Sequence, residues 1–306
     1  MIRFLLLVIG ILLLGGCRSQ PPSHPGIPVE KLPALPSLRT LEPGIQFAEV
    51  PLPRTDGRKS KLWVYLPEKR PANQKLPCVL IAGAGSSLFW GMGLGDGDRP
   101  EHLPYVREGF AVVAYELDGA VSEKQGNKEV IQGAKDFQHA RFGIINAQVA
   151  MQYATTRLPV DPKRVYVAGH SSAATLALQI ATSDLKGISA CIAYAPCVDL
   201  KTRIGEPIRQ VDRFVPGIES NLLALSPDQN VMRIRMPTFV FHARDDSNLP
   251  FAVTEHYARA LQVQNPLNAF VAADSGDHYD SMIEKGVPAG IRWLKGIDAK
   301  LAKSAP

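Results

Sequence analysis

The stretch that most restricts how this chain can fold is 164–183, RVYVAGHSSAATLALQIATS. It opens with Val165, Tyr166 and Val167, a β-branched and aromatic run that reads as a buried strand. After Gly169, His170, Ser171, Ser172 and Ala173, small and apolar residues recur at helical spacing through Ala174, Leu176, Ala177, Leu178, Ile180 and Ala181. The pattern is strand, tight turn, helix, with Ser171 at the turn. Such a turn strains the serine backbone, and only small residues two positions before and after it let strand and helix approach closely. Gly169 and Ala173 meet that requirement, although the commoner residue at the second position is glycine. A serine held this way stands clear of the sheet at a helix N-terminus, where the backbone N–H of Ser172 is free to stabilise an oxyanion. The same residues also fit an ordinary turn ahead of a small-residue helix, so the rest of the chain has to decide between the two.

Around this stretch, the apolar runs at 78–82 and 110–115 have the near-continuous hydrophobicity of buried strands, and those at 188–195, 237–242 and 269–273 read as further strands. Segments 45–52 and 60–66 alternate as antiparallel strands do, with Trp63 and Tyr65 on one face. Helices are expected at 101–108, 130–157, 251–263 and 282–301, besides the one after Ser171. Alternating strands and helices predict one α/β domain with a mostly parallel twisted sheet and helices on both faces. At 306 residues and 45% hydrophobic, the chain is long enough for one sizeable core. A net charge of +5 without a basic run gives no reason to expect a nucleic-acid partner. Segment 201–230 lacks a strong period, is longer than most connections, and reads as a small cap over the site.

The N-terminus reads as a processing signal: Arg3 supplies a positive start and 4–14 an apolar core. That core is shorter than the ~20 residues a membrane-spanning helix needs. It ends in Leu14, Gly15, Gly16 and Cys17, which resembles the lipobox of bacterial lipoproteins. The resemblance implies a signal peptide over 1–16 and a lipid on Cys17, which would tether the chain to a membrane of the bacterial cell envelope. Arg18 after the cysteine, rather than aspartate, points by analogy to the outer membrane, with the domain in the periplasm or outside. A plain secretory signal cleaved near Gly16 is the alternative. Prolines crowd 17–44 and predict an extended tether, leaving 45–306 as the folded domain. Cys78, Cys191 and Cys197 lie in or beside apolar runs and read as small buried hydrophobes. Their odd number indicates no disulfide framework, and no cysteine–histidine spacing suggests a metal site.

A serine hydroxyl needs a base within hydrogen-bond reach, and the base needs a carboxylate to hold its tautomer. Asp246 follows the strand at 237–242, and His278 follows the last strand. The chain order Ser171, Asp246, His278 is the one that fits this architecture. Three pieces then carry a family resemblance: Asp161 to Ser171 (DPKRVYVAGHS), Asp246 with Leu249 and Pro250, and Gly276-Asp277-His278-Tyr279. Over roughly 45–301 the chain resembles the α/β-hydrolases, in particular the prolyl oligopeptidase-like and dienelactone hydrolase-like branches. The resemblance implies Ser171 as nucleophile, Asp246 as acid and His278 as base. It also implies an oxyanion hole from the N–H of Ser172 and of the 82–85 loop, with Ala84 and Gly85 both open as donors.

There are departures from both branches. The chain has no room for the β-propeller of the full oligopeptidases, and it carries serine where the dienelactone branch usually has cysteine. Asp245 and Asp199 are the rival acids, while Asp274 and Asp277 lie too close in sequence to His278 to orient it. His170 reads as packing or lining the pocket, His242 as capping a strand end, and Phe89 and Trp90 as acyl-pocket lining or core. The function expected is cofactor-independent hydrolysis of small carboxylic esters through an acyl-enzyme. The alternatives are a peptidase for short peptides and a catalytically silent envelope-binding lipoprotein.

Overall fold

The computed structural model describes residues 31–53, 59–70, 74–121 and 126–303. The expected signal 1–16, Cys17 and the tether up to residue 30 lie outside the described residues. The strands are β1 (Arg39–Glu42), β2 (Ile45–Pro53), β3 (Lys59–Pro67), β4 (Leu76–Ala82), β5 (Ala111–Tyr115), β6 (Val160–His170), β7 (Ala190–Tyr194), β8 (Thr238–Ala243) and β9 (Ala269–Ala273). They form one sheet in the order β1-β2-β3-β5-β4-β6-β7-β8-β9. Pairing is antiparallel from β1 to β5 and parallel from β5 to β9.

Side-chain alternation explains why the apolar runs are continuous. In β4, Cys78 and Leu80 enter one core while Val79 and Ile81 enter the other. Helices α3 (Ile144–Arg157), α4 (Ser172–Thr182) and α8 (Phe251–Gln264) cover the first face through Ala150, Leu178 and Leu261. Helices α1 (Arg99–Arg107) and α9 (Val287–Lys303) cover the second through Val106 and Leu294. The architecture is thus the doubly covered, mostly parallel sheet expected from the sequence.

Three local expectations are corrected. The chain is ordered well before Ile45: Leu32 is buried and β1 pairs antiparallel with β2. The helix expected over 130–157 is two helices, α2 (Asn127–His139) and α3. Between them Arg141, Phe142 and Gly143 all take positive φ. A Cβ at Gly143 would lie 2.8 Å from Leu176 and 2.9 Å from Leu117, so glycine lets the corner pack against α4. The aperiodic segment after β7 is helical, as α5 (Leu200–Asp212), α6 (Ile218–Leu223) and α7 (Pro227–Asn230), with a break at Gly205 inside α5.

Strand β6, which leads into Ser171, is fixed from behind. Arg164 meets Asp298 of α9 in a two-pronged pair, Nε to Oδ1 at 2.8 Å and Nη2 to Oδ2 at 2.6 Å, and the Tyr166 hydroxyl donates to the same carboxylate at 2.6 Å. Planar guanidinium–carboxylate geometry of this kind fixes direction as well as distance. The strand ends of β4, β6, β7, β8 and β9 point the same way, so the loops after them gather on one edge.

Candidate active site

Ser171 sits between β6 and α4 with φ 55° and ψ −118°, a strained backbone for a residue with a side chain. Its N–H is held by the Tyr194 carbonyl at 2.9 Å, and its carbonyl accepts from the Thr175 N–H at 3.0 Å. These bonds on either side fix the turn, while Gly169 and Ala173 permit it.

Asp246 lies in the turn after β8, its side chain fully shielded from solvent. Oδ2 accepts from His278 Nδ1 at 2.7 Å and from His242 Nε2 at 2.8 Å. Oδ1 accepts from the N–H groups of Asn248 at 2.9 Å and Leu249 at 2.8 Å. Burial alone would push this carboxyl up. The two imidazole donors and the Leu249 N–H outweigh it and hold the group well below the ordinary carboxylate range. An ionised carboxylate accepts only, so His278 Nδ1 carries a proton and donates it. Nε2 of His278 is buried and has no hydrogen-bond partner. In the neutral ring that nitrogen holds a lone pair at the same sheet edge as Ser171.

The second imidazole on Asp246 was not legible as such in the sequence, where His242 reads as a strand-end cap. It is fully buried on β8, and its spacing of four residues from Asp246 is the one trace it leaves in the sequence. His170 packs against His278: its ring lies 4.7 Å from the His278 ring, and its Nε2 donates to the His278 carbonyl at 3.1 Å. Its other nitrogen faces Glu101 of α1 at 3.5 Å, with both side chains buried.

The rival carboxylates have other partners. Asp245 accepts from the N–H groups of Gly276 and Asp277. Asp277 in turn accepts from the N–H and hydroxyl of Ser247. This reciprocal strap binds the Asp246 turn to the His278 loop. Asp199 caps α5 through the Thr202 N–H and hydroxyl, and Asp274 pairs with Arg244 at the surface.

A cleft of about 190 Å³ opens at Ser171, lined also by Ser86, Leu88, Ser172, Cys197, Arg203, Asn248 and Leu249. Arg203 of α5 is braced across it by Asn248, whose carbonyl and side-chain oxygens accept at 3.2 and 2.9 Å. The segment read as a cap therefore borders the site. Phe89 instead joins the core, with Trp90 stacked edge-on against it at 4.5 Å; neither lines this cleft. Burial pushes the Cys197 thiol up to about 12, so this cleft cysteine stays protonated.

Of the residues expected to hold an oxyanion, Ser172 lines the cleft, whereas Ala84 and Gly85 do not. The Gly85 N–H is committed at 3.0 Å to the Ser172 hydroxyl oxygen, which also accepts from the Ser86 N–H at 3.0 Å. Among the described residues, no group of three or more His, Cys, Asp or Glu is placed to hold a metal ion.

Residues 103–291, more than half of the chain and spanning Ser171, Asp246 and His278, match the prolyl oligopeptidase family (Peptidase S9). The chain belongs to that family. It is a serine hydrolase of the α/β-hydrolase fold. The fold is similar to that of an acetyl xylan esterase from Paenibacillus sp. R4, with TM-score 0.63 and 16% identity over 88% of this chain and 90% of that one. A puromycin-hydrolyzing peptidase of Mycobacterium tuberculosis superposes with TM-score 0.64 and 18% identity, over 82% of this chain but only 39% of that one. Among curated proteins, lysophosphatidylserine lipase ABHD12 of Danio rerio is 27% identical over 115 residues, which are 32% of this chain and 29% of the lipase.

Proposed function

We propose that this prolyl oligopeptidase-family chain hydrolyses small carboxylic esters through Ser171, His278 and Asp246. The Ser171 oxygen attacks the ester carbonyl carbon as its proton passes to His278 Nε2. The tetrahedral intermediate collapses, the ester C–O bond breaks, and the alcohol leaves with that proton. His278 then takes a proton from water, whose oxygen attacks the acyl-enzyme, and the acid is released as Ser171 regains its proton. The observation that carries this reading is the His278 ring, with one nitrogen committed to a buried carboxylate and the other bare, on the edge where the strained Ser171 stands.

The ester preference draws support from the acetyl xylan esterase, which the chain matches nearly end to end, while it spans well under half of the peptidase. The test is labelling by a fluorophosphonate probe, followed by turnover of p-nitrophenyl acetate and butyrate against aminoacyl p-nitroanilides. Labelling with esters turned over faster than anilides is expected. Faster anilide cleavage would make the chain a peptidase, and a folded protein that neither labels nor turns over would be a binding protein.

The same reading places a lipid on Cys17 and the domain at the bacterial cell envelope, on the outer membrane, supported by the sequence Leu14 to Arg18. Full-length protein expressed in bacteria should then fractionate with membranes, and Cys17→Ser should move it to the soluble fraction. Equal partition of the two forms would count against the anchor.

A further inference from the structure

A hydroxyl has two lone-pair positions and one proton. At Ser172 both acceptor positions are filled, by the N–H groups of Gly85 and Ser86, each at 3.0 Å. Its proton has no acceptor among the described residues. The residue is 8% exposed, and Ser172 lines the cleft beside Ser171. Two amide dipoles aimed at one oxygen withdraw electron density from it, which strengthens the remaining O–H as a donor. The tetrahedral geometry of the oxygen sends that O–H away from the 85–86 loop. Ser172 is also the first residue of α4, so its own N–H has no partner within the helix.

We propose that the Ser172 side-chain hydroxyl, polarised by the Gly85 and Ser86 amides, is a catalytic donor to the oxyanion, alongside the Ser172 N–H. The loop amides then act one step removed, through the hydroxyl they hold, whereas the sequence leaves Ala84 and Gly85 both open as direct donors to the substrate. The group recognised is the carbonyl oxygen of an ester as it takes on negative charge while its carbon becomes tetrahedral. This inference rests on the reading of Ser171 as nucleophile. It makes a prediction opposite to that of a hole built from the Gly85 amide: there, the Ser172 side chain would only obstruct a donor, and removing it would free one.

The experiment compares wild type with Ser172→Ala, Ser172→Cys and Ser172→Thr, using p-nitrophenyl butyrate and an alkyl boronic acid as a tetrahedral anion mimic. Loss of one oxyanion donor costs roughly 100- to 1,000-fold in kcat. Ser172→Ala is expected to show that loss with KM within about threefold of wild type, and to bind the boronate more weakly by a similar factor. Ser172→Cys, close in shape but a weak donor, should behave as alanine does and serves in its place if Ser172→Ala does not fold. Ser172→Thr keeps the hydroxyl and should retain most of the activity. Wild-type or higher kcat in Ser172→Ala, or a loss confined to KM, would overturn the proposal while leaving Ser171 as nucleophile. A wild type that neither takes the fluorophosphonate nor turns over esters would remove both readings.

Discussion

Alanine at position 171 is expected to lower kcat toward p-nitrophenyl butyrate by about six orders of magnitude, and asparagine at 246 by about four. The first substitution removes the atom that attacks. The second works through hydrogen-bond polarity. Asp246 presents acceptors on both sides: Oδ2 to the two imidazoles, and Oδ1 to the N–H groups of Asn248 and Leu249. An asparagine has only one carbonyl oxygen to offer. If that oxygen faces the imidazoles, its NH2 meets two backbone donors. If it faces the backbone, the NH2 meets His278 Nδ1, which must give up its proton and move it to Nε2. The base then has no lone pair where the serine proton must go. Activity assays and unfolding in urea, run on the same preparations, separate the catalytic loss from the structural one.

The same carboxylate sets a pH dependence of stability. Its folded-state pKa lies below its unfolded value of about 3.9. It therefore contributes stability above the unfolded value, and the contribution is lost as pH falls through the folded one. The difference in unfolding free energy between wild type and Asp246→Asn should shrink as pH falls below about 4. A difference that stays undiminished as pH falls from about 4 to 2 would mean that the carboxyl is not held ionised.

What the sequence makes legible follows from burial. β4 to β8 lie in the part of the sheet covered on both faces, so their apolar runs stand out, and polar residues just after such runs are candidates for the site edge. The edge strand β1, Arg39-Thr40-Leu41-Glu42, has no such signature, because one of its sides is unpaired and its residues are exposed or half-buried. The break at Arg141 to Gly143 is hidden for the opposite reason: Phe137, Phe142 and Ile144 all turn inward, so the apolar pattern runs on through the corner. Contacts within the site are harder still. His242 and Asp246 are four residues apart, yet their shared role depends on His278, 32 residues further on from Asp246. The Ser172 hydroxyl meets amides 86 and 87 residues away. Such pairings follow from where loops end, which no local pattern records.

Gly169→Ala is expected to destabilise the protein by at least about 3 kcal/mol and to take hydrolase activity down with the fold. A Cβ at position 169 would lie 2.4 Å from the Ala173 carbonyl carbon, 2.5 Å from its oxygen and 2.8 Å from the Ala174 nitrogen. All three are backbone atoms in the first turn of α4, so no rotamer change relieves the clash. The first turn is also tied to the neighbouring strand end, since Thr175 bridges the Ser171 carbonyl and the Cys197 backbone. Relief therefore requires α4 to lift away from β6, which moves Ser171 with it. Because the clash is with the Ala173 backbone and not its methyl, Gly169→Ala combined with Ala173→Gly should be no more stable than Gly169→Ala alone. Ala173→Gly by itself should fold and work, at a cost of about 1 kcal/mol in helix propensity. Thermal unfolding and p-nitrophenyl butyrate turnover of the two single variants and the double variant test the argument. Rescue in the double variant would show that the fit depends on side-chain volume, and that strand and helix are free to adjust.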